Sequence, residues 1–278
     1  MKYITPYITP IKSAFLSSKN TGLGNVLFQI ASCYGIAKDN GLQIIYNNVT
    51  SYCDLLYNKF NYNYKDTILR NVYHLNDNSI VFDMIGEESI YARNYNIDLI
   101  NSINNTKSNI IINGYLESML YFNKYKNEII NLFSMDLLSF AKIMEKYGHI
   151  FQSYTTISIH FRGNEYFTIN GKDYDYHYYN RAIEYIYNTI KNPYFLLFTD
   201  DYMSIDFSKL YMKEYTHVTF EYDYLELWTM SICNHNIISN STFSWWGSFL
   251  NKKNDKIVLC NKDTEATFSE IYNDLLKI

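Results

Sequence analysis

Apolar positions recur at two spacings along the chain, and the alternation between them becomes regular after residue 155. Short apolar runs at 155–161, 194–199, 217–220, 236–239 and 256–259 predict strands. Between and after them, segments apolar at helical spacing predict helices at 178–191, 225–233, 243–251 and 268–277. Strands alternating with helices of about ten to fourteen residues imply a doubly wound parallel sheet, so the C-terminal half is Rossmann-like. The first half alternates less cleanly. A polar lead-in, 1–21, holds one expected strand near 14–17, and a helix at 26–38 opens on Thr21-Gly22-Leu23-Gly24-Asn25. Gly41 ends that helix, and strands follow at 42–46 and 108–114, then helices at 119–133 and 137–147. Residues 47–108 are rich in Asn, Tyr and Asp with broken periodicity and predict only short elements and loops. The expected architecture is two facing α/β domains with a cleft between them, 1–150 and 151–278.

Composition narrows the class. At 278 residues with 47% hydrophobic content, the chain can bury full cores. A net charge of −4 argues against a nucleic-acid binder held by a basic face. It leaves room for a nucleotide ligand held by one or two basic groups. The four cysteines, Cys33, Cys53, Cys233 and Cys260, have no metal-type spacing and read as small buried residues in a reduced compartment. No run reaches the roughly 18 to 20 apolar residues of a membrane helix, and the start lacks a signal peptide's apolar core. A cytoplasmic location is expected.

Candidate chemistry gathers around Ile157–Tyr166, ISIHFRGNEY. Its apolar alternation stops where His160, Arg162, Asn164 and Glu165 begin, at the carboxyl end of a strand, where open α/β sheets bind ligands. A guanidinium there suits a pair of phosphate oxygens. Glu165 could act as a base or hold the guanidinium, and a plain strand end with a surface ion pair accounts for the same residues. Asp200-Asp201 follows the 194–199 strand; capping of the next helix is favoured over a metal–diphosphate site. In Ser239–Gly247, SNSTFSWWG, small polar residues open a helix whose N–H groups could bind an anion. Trp245 and Trp246 fall about 100° apart on that helix, so one is expected in the core and the other could line a sugar or base pocket. The glycine loop at 22–25 could likewise face an anion, although such a loop is more often just a tight turn. No histidine has metal-ligand spacing.

Taken together, the blocks GLGNVLFQIA (22–31), INGYLESMLYF (112–122), ISIHFRGNEY (157–166), DYDYHYYNRAIEYI (173–186), FLLFTDD (195–201) and HNIISNSTFSWWGSFL (235–250) resemble the α-1,2-fucosyltransferase family, glycosyltransferase family 11. The resemblance implies a GT-B-like fold and an inverting transferase that needs no metal or cofactor, moving L-fucose from GDP-β-L-fucose to the 2-hydroxyl of a β-galactoside. It implies a donor side at 151–278 and an acceptor side at 1–150. Arg162 would handle the donor pyrophosphate, and His160 stands at the family's motif histidine. Gly22, Gly24 and Asn25 match its N-terminal glycine loop. Asn240, Ser241, Thr242 and Phe243 match the block expected to meet phosphate and guanosine. The implied partners are a nucleotide-sugar donor and an oligosaccharide acceptor, with peripheral contact to a membrane carrying glycan precursors left open.

The chain departs from the family pattern HxRRGDY, reading His160-Phe161-Arg162-Gly163-Asn164-Glu165-Tyr166. Gly163 replaces the second arginine, and Glu165 replaces the aspartate. Loss of a charge-assisted donor to phosphate costs roughly 1.5 to 3 kcal/mol. Val26 also stands where the family often has Gln. Two other readings therefore stay open, a transferase using another GDP-deoxysugar and a non-catalytic carbohydrate-binding descendant. A generic NAD-binding protein lacks its GxGxxG.

Overall fold

The computed structural model describes residues 2–8, 22–60, 63–72, 79–86, 94–163, 174–261 and 275–278. The chain forms two compact units, Met1–Met135 and Asp136–Ile278.

In the first unit, β1 (Tyr3–Pro6), α1 (Leu23–Asp39), β2 (Gln43–Ile44), α2 (Asn47–Phe60), β3 (Phe82–Gly86), α3 (Ile97–Asn105) and β4 (Asn109–Asn113) follow in turn. The described strands pair in parallel in the order β2-β1-β4-β3. The lead-in thus carries a central strand at its very start, whereas the strand expected near 14–17 lies outside the described residues. Pro6 is tolerated there for a geometric reason. Ile4 accepts from Ile45 on the β2 side, while Tyr7 donates to Ile112 on the β4 side. Pro6 therefore faces the β2 side, past the end of that short strand, where no donor is needed.

The helix expected at 119–133 is broken into 3-10 turns at Met119–Tyr121 and Asn123–Tyr125, then α4 (Lys126–Leu132). A Cβ on Gly35 of α1 would lie 2.0 Å from the Tyr121 carbonyl oxygen, so the helix meets bare backbone there.

The second unit contains α5 (Leu137–Ser153), β5 (Thr155–Phe161), α6 (Tyr176–Thr189), β6 (Pro193–Thr199), β7 (Tyr215–His217), α7 (Asp223–Ile232), β8 (His235–Ile237), α8 (Thr242–Phe249), β9 (Val258–Cys260) and β10 (Leu275–Lys277). Its strands are parallel in the order β10-β9-β8-β5-β6-β7. A boundary near residue 150 would cut α5, whose Tyr147 and Ile150 pack with Leu196, Phe198, Val218, Met230 and Cys233. That packing ties the helix to the second unit. The terminal helix expected at 268–277 ends instead as strand β10, paired with β9; residues 268–274 lie outside the described residues. Asp136 and Asp175 cap α5 and α6 through the Ser139 and Tyr178 N–H groups, at 2.8 and 3.0 Å.

Alternation along the strands splits the core into two layers. Ile157, Ile159, Phe161, Phe195 and Leu197 pack with Tyr178, Tyr179, Ala182, Ile183 and Ile186 of α6. Leu196 and Phe198 face α5 and α7 on the other side. Helices cover both faces, as a doubly wound sheet requires. No helix among the described residues is long and apolar enough to cross a membrane.

Close packing of α8 on α7 is a test of this layer. A Cβ on Gly247 would lie 2.7 Å from the Met230 Cβ and 2.8 Å from its sulfur. Gly247→Ala is expected to destabilise the protein by about 1–3 kcal/mol. The readout is a lower urea midpoint at unchanged denaturant slope.

Candidate functional site

Strand order in the second sheet reverses between β5 and β8, since β6 and β7 build out one way and β9 and β10 the other. Ligands of open α/β sheets bind outside the carboxyl ends of strands at such a reversal. The inward positions of β5 on this face are polar and buried: Thr156, Ser158 and His160. Each has a partner from β8 or its flanks. The Thr156 hydroxyl donates to Asn234 Oδ1 at 2.9 Å, and Asn236 Nδ2 donates to Ser158 Oγ at 2.7 Å. His160 Nδ1 and Ser239 Oγ are hydrogen-bonded at 2.7 Å. Asn251 Nδ2 donates to Asn236 Oδ1 at 2.9 Å and so ties the end of α8 into the seam. The seam runs toward the carboxyl ends, where Arg162 leaves the sheet.

His160 is only 6% exposed. Burial, aided by the Arg162 charge, lowers its pKa to about 3. It is therefore a neutral hydrogen-bonding group at neutral pH, and it adds no positive charge to the site. Its ring lies 5.9 Å from that of Phe243. Ser241 caps α8, its Oγ accepting from the Phe243 N–H at 3.3 Å, and Ser244 Oγ donates to the Ser241 carbonyl at 3.2 Å. Phe243, Asn240 and Thr242 are half-buried around that helix start. Trp245 and Trp246 are both fully buried. Trp245 stacks on Phe249 at 4.9 Å, so the expectation that one tryptophan lines a pocket is corrected to core packing for both.

Arg162 and Asp200 emerge side by side from β5 and β6. The Gly163 N–H donates to Asp200 Oδ1 at 2.7 Å, and Arg162 Nη1 lies 4.0 Å from Asp200 Oδ2. Asp201 precedes the 3-10 turn Tyr202–Ser204 but its side chain makes no cap bond. The capping reading of this aspartate pair is thereby corrected: Asp200 holds the neighbouring strand end. Among the described residues, no cluster of three or more His, Cys, Asp or Glu side chains could hold a metal.

Sequence reasoning passed over Glu226 of α7. Burial, with the Asp223 and Asp200 charges adding to it, raises its pKa to about 7, against the Phe220 N–H, which donates to Oε1 at 3.2 Å. The signal was an acid set between Leu225 and Leu227, both buried.

Among the remaining candidates, Gly22, Gly24 and Asn25 belong to the first unit, where Gly22 precedes α1 as its N-cap in an extended conformation. Val26 is fully buried there. Glu165 and Asn164 lie outside the described residues.

Two Rossmann-like units, with polar groups converging at the strand-order reversal of the second, define a GT-B-like protein. Residues 150–277 match glycosyl transferase family 11. It is 30% identical over 165 residues to the O-antigen biosynthesis glycosyltransferase WbnK of Escherichia coli, covering 55% of this chain. That match spans about half of the relative's length, 54%. Identity to the alpha-1,2-colitosyltransferase of Escherichia coli is 24% over 251 residues, covering 82% of this chain and 84% of the relative. The crystal structure of fucosyltransferase NodZ from Bradyrhizobium shares the fold at a TM-score of 0.58 and 15% identity, covering 90% of this chain and 92% of that one.

The two buried titratable groups bend stability with pH in opposite directions. Between pH 6.5 and about 3 the unfolded chain protonates His160 and the folded chain does not, so stability is lost as pH falls through this window. Glu226 keeps its proton in the folded chain from the ordinary 4.5 up to about 7, so its contribution falls as pH rises there. Urea unfolding between pH 5 and 6.5 checks both signs. Relative to the parent protein, Glu226→Gln should make stability rise more steeply with pH, and His160→Asn should make it rise less.

Proposed function

We propose that this protein is an inverting glycosyltransferase that moves L-fucose from GDP-β-L-fucose to the 2-hydroxyl of a β-galactoside. The observation that carries the reading is Arg162, the guanidinium standing at the strand-order reversal beside an uncharged His160. As the sugar leaves, negative charge grows on the β-phosphate oxygens. Arg162 would meet that charge, assisted by N–H groups at the start of α8. In-line attack requires the acceptor hydroxyl to be held behind the anomeric carbon, which is an orientation task for the first unit. Glu165 would take the hydroxyl proton or hold Arg162. The donor would occupy the second unit and the acceptor the first, and the reaction would run in the cytosol where GDP-sugars are made.

A specific relative favours a second reading within the same chemistry. The colitosyltransferase matches more of this chain than WbnK does, 82% against 55%, so a different GDP-deoxysugar is the alternative donor.

The test is GDP release and product mass from purified protein with GDP-β-L-fucose, lactose or N-acetyllactosamine, in EDTA. The expected result is a fucosylated product whose formation falls by more than about tenfold in Arg162→Ala, the loss of one charge-assisted phosphate contact. An Arg162→Ala protein with near-normal turnover removes Arg162 from its role. Turnover with another GDP-deoxysugar alone selects the second reading. Tight GDP binding without turnover of any donor identifies a lapsed, carbohydrate-binding descendant.

A further inference from the structure

We propose that Asp200 is the positioning residue for Arg162, and that glycine at 163 is what lets it reach that place. The proposal rests on the reading of Arg162 as the group that meets the donor phosphate. β5 and β6 are neighbours in register, Phe161 beside Thr199, so the segments 162–163 and 200–201 leave the sheet together. The two oxygens of Asp200 are divided between them. Oδ1 accepts the Gly163 N–H at 2.7 Å, and Oδ2 lies 4.0 Å from Arg162 Nη1. One carboxylate thus binds the backbone N–H and stands at ion-pair distance from the guanidinium of the same turn.

Space explains the glycine. A Cβ at 163 would sit 2.2 Å from Asp200 Oδ1, 3.0 Å from its Cγ and 2.7 Å from the Asp201 Cβ. Asp200 could rotate away, but the Asp201 Cβ is fixed to the backbone, so any side chain at 163 would expel the carboxylate and shift the strand end as well. Residue 163 and the aspartate pair therefore have to be read as one unit.

The contact is not there for stability. Both side chains are well exposed, 46% and 61%, and pairs of that kind contribute little to folding. What it supplies is direction. Free of Asp200, a half-exposed arginine samples many rotamers, and few of them aim the guanidinium at an anion beyond the strand end. A carboxylate beside an anion site also repels the anion. Its removal should therefore harm turnover without harming GDP binding, which a merely structural residue would not do.

The experiment measures GDP affinity by calorimetry and GDP release from GDP-sugar for the parent protein, Asp200→Ala, Asp200→Asn, Gly163→Ala and the Asp200→Ala/Gly163→Ala double variant. Asp200→Ala should lower kcat by up to about 100-fold, the cost of a misplacement of about 1 Å at a reacting centre. GDP affinity should stay within about threefold or tighten. Asp200→Asn, which keeps an acceptor for the Gly163 N–H, should recover part of the rate. Gly163→Ala should reproduce the Asp200→Ala loss, and the double variant should be no worse than the poorer single variant. Wild-type kcat in Asp200→Ala overturns the proposal, as do single losses that multiply in the double variant. If Gly163→Ala does not fold, the Asp200→Ala and Asp200→Asn pair decides alone. A parent protein that binds no GDP, or binds it without turning over any donor, sinks the functional reading and this proposal with it; a parent that turns over while Asp200→Ala is indifferent sinks this proposal only.

Discussion

The buried polar seam between β5 and β8 is the constraint on which the site depends. Thr156, Ser158 and His160 bring hydroxyl and imidazole groups into the sheet's interior, where an unmatched polar group costs roughly 1–3 kcal/mol. Each is matched because Asn234 and Asn236, two residues apart, meet Thr156 and Ser158, and Ser239 beyond the end of β8 meets His160. A slip of one residue would turn Ile157 and Ile159 onto these partners and bury the polar groups against α6. The seam therefore pins register, and register in turn decides where Arg162 leaves the sheet.

Electrostatics sharpens this picture. His160 is kept neutral by the same burial that the seam imposes, and the nearby guanidinium works in the same direction. Glu226, enclosed on α7, holds its proton far above the ordinary carboxylate range, partly because Asp200 is already charged nearby. Together these shifts reduce the number of charges that act at the strand ends. Among the described residues Arg162 faces the carboxylate of Asp200, and the dipole of α8 would be a second positive influence on the anion proposed to bind there. The proposed diphosphate site would thus rest on one guanidinium in a protein of net charge −4.

Legibility in the sequence followed how local the cause was. Most of the second unit was readable because β5, β6, β8 and β9 are short apolar runs and α5, α6 and α8 carry their own caps. β1 was missed because four residues ending in Pro6 look like a lead-in; only the pairing partners β2 and β4 show why a proline fits. β10 was read as helix because its strand character comes from β9 beside it. His160, Arg162 and Ser241 were singled out as candidates from motif blocks in the sequence. Glu226 was not, since its character comes from enclosure by segments distant in sequence. The tryptophans were misjudged for the same reason: 100° of helix separation does not expose either ring when packing surrounds residues 244–249 of α8.

Gly163 shows how a departure changes meaning once neighbours are known. From the sequence it is a missing arginine, a phosphate donor subtracted from the site. In the structure no side chain of any kind fits there, because Asp200 and Asp201 fill the space a Cβ would need. The absent side chain and the present carboxylates are thus alternatives for one volume, and this chain has taken the carboxylates. The result is one guanidinium with a carboxylate beside it in place of two arginines. Such an exchange gives up attraction for the ground-state anion and gains orientation, and orientation is the quantity that governs the rate once a donor is bound.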